Sequence, residues 1–160
     1  MKIRNATNKD LPAILAIYQR AREFMRSTGN PTQWSNAHPA PSLLTRDIES
    51  RNLYLLEDAD GIQGVFALLL GNDPTYSFIE GSWPNDSPYV TIHRIASAGN
   101  KSGIVAHAVG YGLSLCPNLR IDTHHDNSVM QHVLEKLGFQ RCGIIYLENG
   151  DPRIAYQIIK

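Results

Sequence analysis

The segment from Pro88 to Phe139 constrains the fold most, because alternating hydrophobicity, a glycine-bearing loop and helical spacing follow one another in a set order. Tyr89 to Ala96 reads as a strand, and Ser97-Ala98-Gly99-Asn100-Lys101-Ser102-Gly103 reads as its turn. A helix is expected from Ser102 to about Leu115, since the Ser102 hydroxyl can cap an unpaired first-turn amide, and Pro117 enforces its exit. In the next strand, Leu119 to His124, the residues Leu119, Ile121 and Thr123 alternate with Arg120, Asp122 and His124. Asn127 or Ser128 then caps a short helix with an apolar stripe of Met130, Val133, Leu134 and Leu137, and Gly138 stops it. Free loop amides beside a helix N-terminus suit an anionic phosphate group. Gly99 and Gly103 permit left-handed backbone or close approach of a ligand, although glycines serve ordinary turns equally well.

The flanking segments complete a mixed sheet. Residues 2 to 6 read as an edge strand, and Leu11, Ile14, Leu15, Tyr18, Ala21 and Met25 recur at helical spacing in a segment ending near Gly29. Thr7 and Asp10 resemble a capping box with Asn8 as a rival cap, and Pro12 falls late for a helix start, so an irregular first turn is expected. Asn30 to Pro41 is a proline-rich loop holding Gln33 and Trp34, followed by a short helix capped by Ser42. Asn52 to Glu57 and Ile62 to Leu70 form a hairpin around Asp60-Gly61. Gly71 to Ser87 is a long interruption whose Tyr76, Phe78 and Trp83 could line a pocket, cover the core or meet a partner. Phe139 to Leu147 and Arg153 to Ile159 pair around Asn149-Gly150. The expected fold is α/β: a mixed, mostly antiparallel sheet of about seven strands with helices on both faces, in one domain over residues 1–160.

Composition narrows the functional classes. A chain of 160 residues can bury about 70% of its unfolded surface without staples. Fifteen basic residues balance fifteen acidic ones, which gives no electrostatic case for nucleic acid or an anionic membrane as partner. No apolar run approaches the roughly 20 residues of a membrane span, and Met1-Lys2-Ile3-Arg4 leads into a strand. Cys116 and Cys142 lack metal-site spacing and fit a reducing cytosol, so a cytoplasmic location is expected. His124-His125-Asp126 suggests a metal, but adjacent residues on a strand point to opposite faces and no second spaced ligand pair exists, so no metal is expected.

Several motifs together resemble the GCN5-related N-acetyltransferases, over nearly the whole chain and within a bacterial subgroup. They are Ile3-Arg4-Asn5-Ala6-Thr7, Asp10-Leu11-Pro12-Ala13-Ile14, Gln33-Trp34, Gly64-Val65-Phe66, Ile92-His93-Arg94-Ile95-Ala96, the loop Asn100 to Val105, Arg120-Ile121-Asp122-Thr123-His124 before Asn127, and Leu134-Glu135-Lys136-Leu137-Gly138-Phe139. The resemblance implies acetyl-coenzyme A bound where the strands at 89–96 and 119–124 splay apart. Ile95, Ala96 and Ser97 would meet the pantetheine and acetyl carbonyl. Gly99, Asn100, Lys101, Ser102, Gly103 and Ile104 would meet the pyrophosphate, with Asn127 a further contact. Three positions depart from the family pattern. Asn100 replaces a favoured Gln or Arg, Val105 replaces a small residue, and Leu134 stands where many relatives place a tyrosine that protonates the leaving thiolate.

Among the polar candidates, His93 is placed to deprotonate an ammonium, His124 ends the partner strand, and Glu80 is a second base acting through water. Gln33, Trp34, Tyr76, Trp83 and Tyr89 are candidates for the acceptor wall. The leading reading is direct acetyl transfer to the primary amine of a small molecule or a protein N-terminus. A coenzyme A sensor with weak turnover and a structural subunit using Trp34 and Trp83 are the alternatives. A homodimer is plausible for a domain of this size, with no motif specifying it.

Overall fold

The computed structural model describes residues 1–160. Chain order is β1 (Lys2–Asn5), α1 (Leu11–Ser27), α2 (Pro41–Glu49), β2 (Leu53–Asp58), β3 (Gly61–Leu70), β4 (Glu80–Gly81), β5 (Val90–Ser97), α3 (Ile104–Leu115), β6 (Asn118–Thr123), α4 (Ser128–Lys136), β7 (Gln140–Tyr146) and β8 (Pro152–Ile159). All eight strands join one sheet in the order β1-β2-β3-β5-β6-β8-β7-β4. Every pairing is antiparallel except β5 with β6.

Alternation along the central strands divides the core into two layers. Phe66 and Leu68 of β3 pack with Ile104, Ala108 and Val109 of α3 and Leu134 of α4. The intervening Val65 and Ala67 pack with Ile14, Ile17 and Tyr18 of α1 and Leu44 and Ile48 of α2. A third, small cluster of Tyr76, Tyr89, Ile145 and Ala155 lies under the long loop before β5.

The start of α1 is irregular, as its late proline requires. Asn8 to Asp10 form a 3-10 turn, Thr7 and Asp10 make the capping box, and Pro12 falls in the first turn of the α-helix. Arg4 of β1 forks onto the Asp10 carboxylate at 2.9 and 3.0 Å, tying that turn to the sheet edge.

The sheet is the mixed, mostly antiparallel one expected, with eight strands where about seven were read: the short Glu80–Gly81 pairs with Ile144 and Gly143 of β7. A Cβ on either Gly81 or Gly143 would collide with the opposing backbone, so this short pairing rests on two glycines and carries no hydrophobic alternation. Ser102 does not cap α3; Gly103 does, with a left-handed φ of 79° that a serine would adopt only under strain. Ser42 does not cap α2 either, because Pro41 occupies the first helical position and leaves Ala40 as the extended cap. No helix is long and apolar enough to cross a membrane, and both cysteines are free.

Gly64 sets the position of α3 over the sheet: a Cβ there would lie 2.8 Å from the Ile104 side chain and 3.2 Å from the Ala96 carbonyl. Gly64→Val should destabilise the chain by about 1–3 kcal/mol, with Gly64→Ala intermediate, as measured by urea unfolding. Equal stability of all three proteins would remove this packing role.

Candidate active site

The site is built on an irregularity in β5. From Val65 to Ala67 the β3 strand advances two residues, while β5 advances three between Ala96 and His93. The extra residue makes a β-bulge at Arg94 and Ile95, where Arg94 takes a left-handed φ of 54°. A non-glycine residue in that region persists only when its surroundings hold it. Tyr18 of α1 donates its hydroxyl to the Arg94 carbonyl at 2.6 Å. Asp47 of α2 accepts the Arg94 guanidinium at 3.0 and 3.1 Å. Both helices therefore grip the bulge. The parallel pairing of β5 with β6 is confined to Val90–Leu119 and Thr91–Arg120, and beyond it the strands part.

Two cavities open along this gap. One, of about 770 Å³, lies between the end of β5, the loop to α3, α4 and one face of α1. The other, of about 500 Å³, is lined by Ile92 to Ile95 of β5, Ile121 to Thr123 of β6 and the loop carrying Thr32 to Ser35. Met25, Ile95, Asn127 and Met130 line both, so the cavities meet at the bulge.

The larger cavity gathers Ile95, Ala96, Ser97, Gly99, Lys101, Ser102, Gly103, Ile104 and Asn127, whereas Asn100 lies outside its lining. Val105 lines it as well. At its mouth stands the N-terminus of the twelve-residue α3, whose first amides have no side-chain cap. Lys101 is not a free cation: its ammonium contacts Asp60 at 2.9 Å and Asp58 at 3.7 Å. These carboxylates, the hydrogen-bonded Asp60 foremost, raise the lysine pKa. A different cation faces the loop. Arg20 of α1 donates to the Ser97 carbonyl at 3.2 Å, and a Cβ on Gly99 would run into its guanidinium. Arg20 was invisible in the sequence because only the packing of α1 brings it to this loop. The residues present fit an elongated ligand with a phosphate end: open amides at a helix start, a neighbouring guanidinium and apolar walls from Phe24, Val129 and Val133.

In the smaller cavity the central pair is His93 and Asp73. His93 Nε2 lies 2.7 Å from Asp73 Oδ2. Burial pushes the Asp73 carboxyl up, but hydrogen bonds from His93 and Thr75 outweigh it and bring the group to about 2. An ionised carboxylate only accepts, so the hydrogen of this bond sits on His93 Nε2, which leaves Nδ1 as the ring nitrogen free for other chemistry. Asp73 is held by capping the 3-10 turn Pro74–Tyr76, accepting from the Thr75 amide at 2.9 Å and its hydroxyl at 2.6 Å. The Asp73-Pro74-Thr75 cap pattern was the available sequence signal for this residue. Trp34 packs edge-on against Tyr18 and His38 and, with Gln33, forms part of the wall. The Gln33 amide oxygen accepts from Asn30 at 2.7 Å and from Asn127 at 2.9 Å, while Asn127 Oδ1 caps α4 by accepting from the Met130 amide. His38 and Arg153 also line this cavity and were not singled out from sequence. Burial, then the charge of Arg94, pushes the His38 imidazole down.

The remaining candidates lie elsewhere. His124 is buried outside both cavities; its Nδ1 accepts the Asp126 amide at 3.0 Å and its Nε2 contacts Thr32 at 3.3 Å. Burial lowers its pKa, so it is a neutral imidazole with both nitrogens engaged. The fold also groups His124, His125 and Asp126 closely enough to share an ion, but the amide bond takes the His124 Nδ1 lone pair. Glu80 is exposed on the far edge strand, where Tyr146 hydrogen-bonds it. Tyr76, Trp83 and Tyr89 pack on the small third core and line a separate cavity of about 530 Å³ that adjoins the His93 cavity at Asp73; Arg120 is sandwiched there, 3.9 Å from the Trp83 ring and 4.0 Å from the Tyr89 ring. Tyr76 donates to Asp122 at 2.7 Å, and burial, then Asp122, holds its phenol well above the ordinary value. Leu134 is fully buried and lines neither cavity.

Asp73 ties stability to acidity. Its folded value of about 2 lies below the ordinary 3.8, so its contribution is complete above about pH 4 and is lost as pH falls toward 2. Asp73→Asn should cost about 1–2 kcal/mol at neutral pH, with the difference from wild type closing on acidification, as read by urea unfolding at each pH. A difference independent of pH would show that the ionised carboxylate contributes nothing.

No family model and no curated protein matches the chain. Among solved structures, it is 32% identical to a GNAT-family acetyltransferase from Streptococcus agalactiae 2603, with a TM-score of 0.87 over 99% of this chain and 95% of that one. GNAT-family acetyltransferases from Listeria monocytogenes 4b F2365 and Bacillus cereus ATCC 10987 share the fold at 20% and 21% identity, with TM-scores of 0.73 and 0.63. Each of these two matches covers 99% of this chain, and they cover 94% and 96% of the respective partners.

Proposed function

The chain belongs to the GNAT family of acetyltransferases, and we propose that it moves an acetyl group from acetyl-coenzyme A directly to a primary amine, with residues 1–160 acting as one catalytic domain. The observation that carries this reading is the meeting of the two cavities at Ile95, two residues along β5 from His93. A ligand in the larger cavity and an amine in the smaller one reach each other only there.

Acetyl-coenzyme A supplies an activated thioester, so the protein has no need of its own nucleophile. The amides at the start of α3 and the Arg20 guanidinium hold the pyrophosphate, taking the role left open by Asn100 and the engaged Lys101. The end of β5, Ile95 to Ser97, aligns the thioester at the bulge. His93 Nδ1 takes a proton from the ammonium, and Asp73 keeps the ring in that tautomer and stabilises the imidazolium. The amine nitrogen then bonds to the acetyl carbon as the carbon–sulfur bond breaks, the nitrogen gives its second proton to solvent to leave the neutral amide, and the thiolate takes a proton from solvent. The acceptor is a small-molecule amine or a protein N-terminal amine.

A coenzyme A sensor with slow turnover is the second reading. One observation favours it: Leu134 is in the core, and no tyrosine lines the donor cavity to protonate the thiolate. An amine panel assayed for free thiol and acetylated product separates the two. Thiol release that depends on both acetyl-coenzyme A and acceptor supports the transferase, whereas tight binding without product supports the sensor.

His93→Gln should lower kcat/KM by about a hundredfold or more. Near-wild-type kinetics across pH in a folded variant would remove the base assignment. Arg20→Ala should weaken acetyl-coenzyme A binding by about tenfold, and the loss should shrink for a donor analogue lacking the phosphates. Unchanged affinity by calorimetry would count against the phosphate role.

A further inference from the structure

Arg153 is a buried cation without an acidic partner. It is 6% exposed, lies opposite Ile145 in the β8–β7 pair, and lines the cavity that holds His93. Its guanidinium makes two hydrogen bonds, both to backbone carbonyls: Pro152 at 2.8 Å and Gln33 at 3.2 Å. A guanidinium has five N–H donors, and burying its charge without a counter-charge is costly. Burial accordingly lowers its pKa, while Asp122 and Asp151 act to raise it from beyond ion-pairing distance.

The carboxylates of this cavity have other partners. Asp73 is engaged by His93 and Thr75, and Asp122 by the Tyr76 hydroxyl. Asp151 is exposed and takes the Asn149 side-chain amide at 3.2 Å. The other arginine of the cavity, Arg94, already has Asp47. Arg120, equally buried and equally without an acid, lies outside this cavity with its charge covered by Trp83 and Tyr89. Arg153 alone combines burial, access to the cavity and an unmatched charge.

Resting on the transferase reading, we propose that Arg153 binds a carboxylate of the acceptor, so the substrate is an amino acid or a similar primary amine that also carries a carboxylate. The planar fork of arginine matches a carboxylate in a way that a point charge does not. The placement suits both ends of such a molecule. His93 is on β5 and Arg153 on β8, with β6 between them. Two strand spacings, roughly 10 Å before the splay is added, leave room for an amino acid between the two side chains. The amine lies toward His93 and the bulge, the carboxylate lies toward β8, and Ile121 and Thr123 form the floor.

The test uses matched acceptors: amino acids of several sizes, the amines left by their decarboxylation, their amides, and aminoalkyl phosphates of similar length. With the wild-type chain and saturating acetyl-coenzyme A, kcat/KM should favour the carboxylate-bearing members by about tenfold to a hundredfold, mostly through KM. Arg153→Gln should bring that ratio toward one, and Arg153→Lys should restore part of it. Thermal unfolding identifies which variants are folded, and the wild-type ratios decide the matter if neither is. Amines or amides acetylated as well as the acids, preference for the phosphates, or a ratio that survives Arg153→Gln in a folded protein would each overturn the assignment. Acetylation without carboxylate preference overturns this inference alone. Tight acetyl-coenzyme A binding with no product from any acceptor overturns the transferase reading and this inference with it.

Discussion

The strained bend at Arg94 is the constraint on which the site depends. A left-handed arginine inside a strand is unfavourable by itself, and it persists because Asp47 holds its side chain and Tyr18 holds its carbonyl. Those two contacts come from different helices on the same face of the sheet. The bend they enforce limits the parallel pairing to two residue pairs and leaves open strand edges where a continuous ladder would otherwise form. Both cavities follow from that interruption. Burial pushes the Asp47 carboxyl above its ordinary value despite the guanidinium beside it, so the grip is a desolvated one that a partner must keep satisfied.

Much of the fold was legible because it is written in local chemistry. The Asp60-Gly61 hairpin, the Thr7–Asp10 box with its irregular turn and the Asn127 cap each follow from residues near one another in the chain, whereas the parting of the strands at 89–96 and 119–124 was implied by the family resemblance. Errors arose where a glycine did something other than punctuate. Gly103 replaced Ser102 as a cap by taking a left-handed conformation, and Gly81 with Gly143 made a strand pairing that no hydrophobic pattern announces.

The candidate site was legible in outline, and the structure places some of its expected side chains outside the two cavities. Its backbone positions between Ile95 and Gly103 come from one continuous segment and assemble around the cavity with the exceptions of Ala98 and Asn100. Side chains that arrive from elsewhere were the ones missed: Asp73 behind His93, Arg20 behind Gly99, and His38 and Arg153 in the wall of the cavity that holds His93. Tyr76, Trp83 and Tyr89 do line a cavity, but a separate one on the other side of Asp73, where Arg120 stacks between Trp83 and Tyr89. Lys101 lines the larger cavity, and Asp58 and Asp60 on the neighbouring hairpin engage its charge.

Helix α1 supplies Tyr18 to the bend, Arg20 to the loop before α3 and Met25 to the wall that both cavities share. All three depend on the rotational phase of one helix, and that phase is set where Arg4 grasps Asp10 and the 3-10 turn hands over to Pro12. A slip of one residue at that entry would rotate the helix by about 100° and carry all three side chains off their targets together. The N-terminal turn thus acts as an indexing device for chemistry it never touches, and a single-residue insertion there would silence the site while leaving every residue that lines it unchanged.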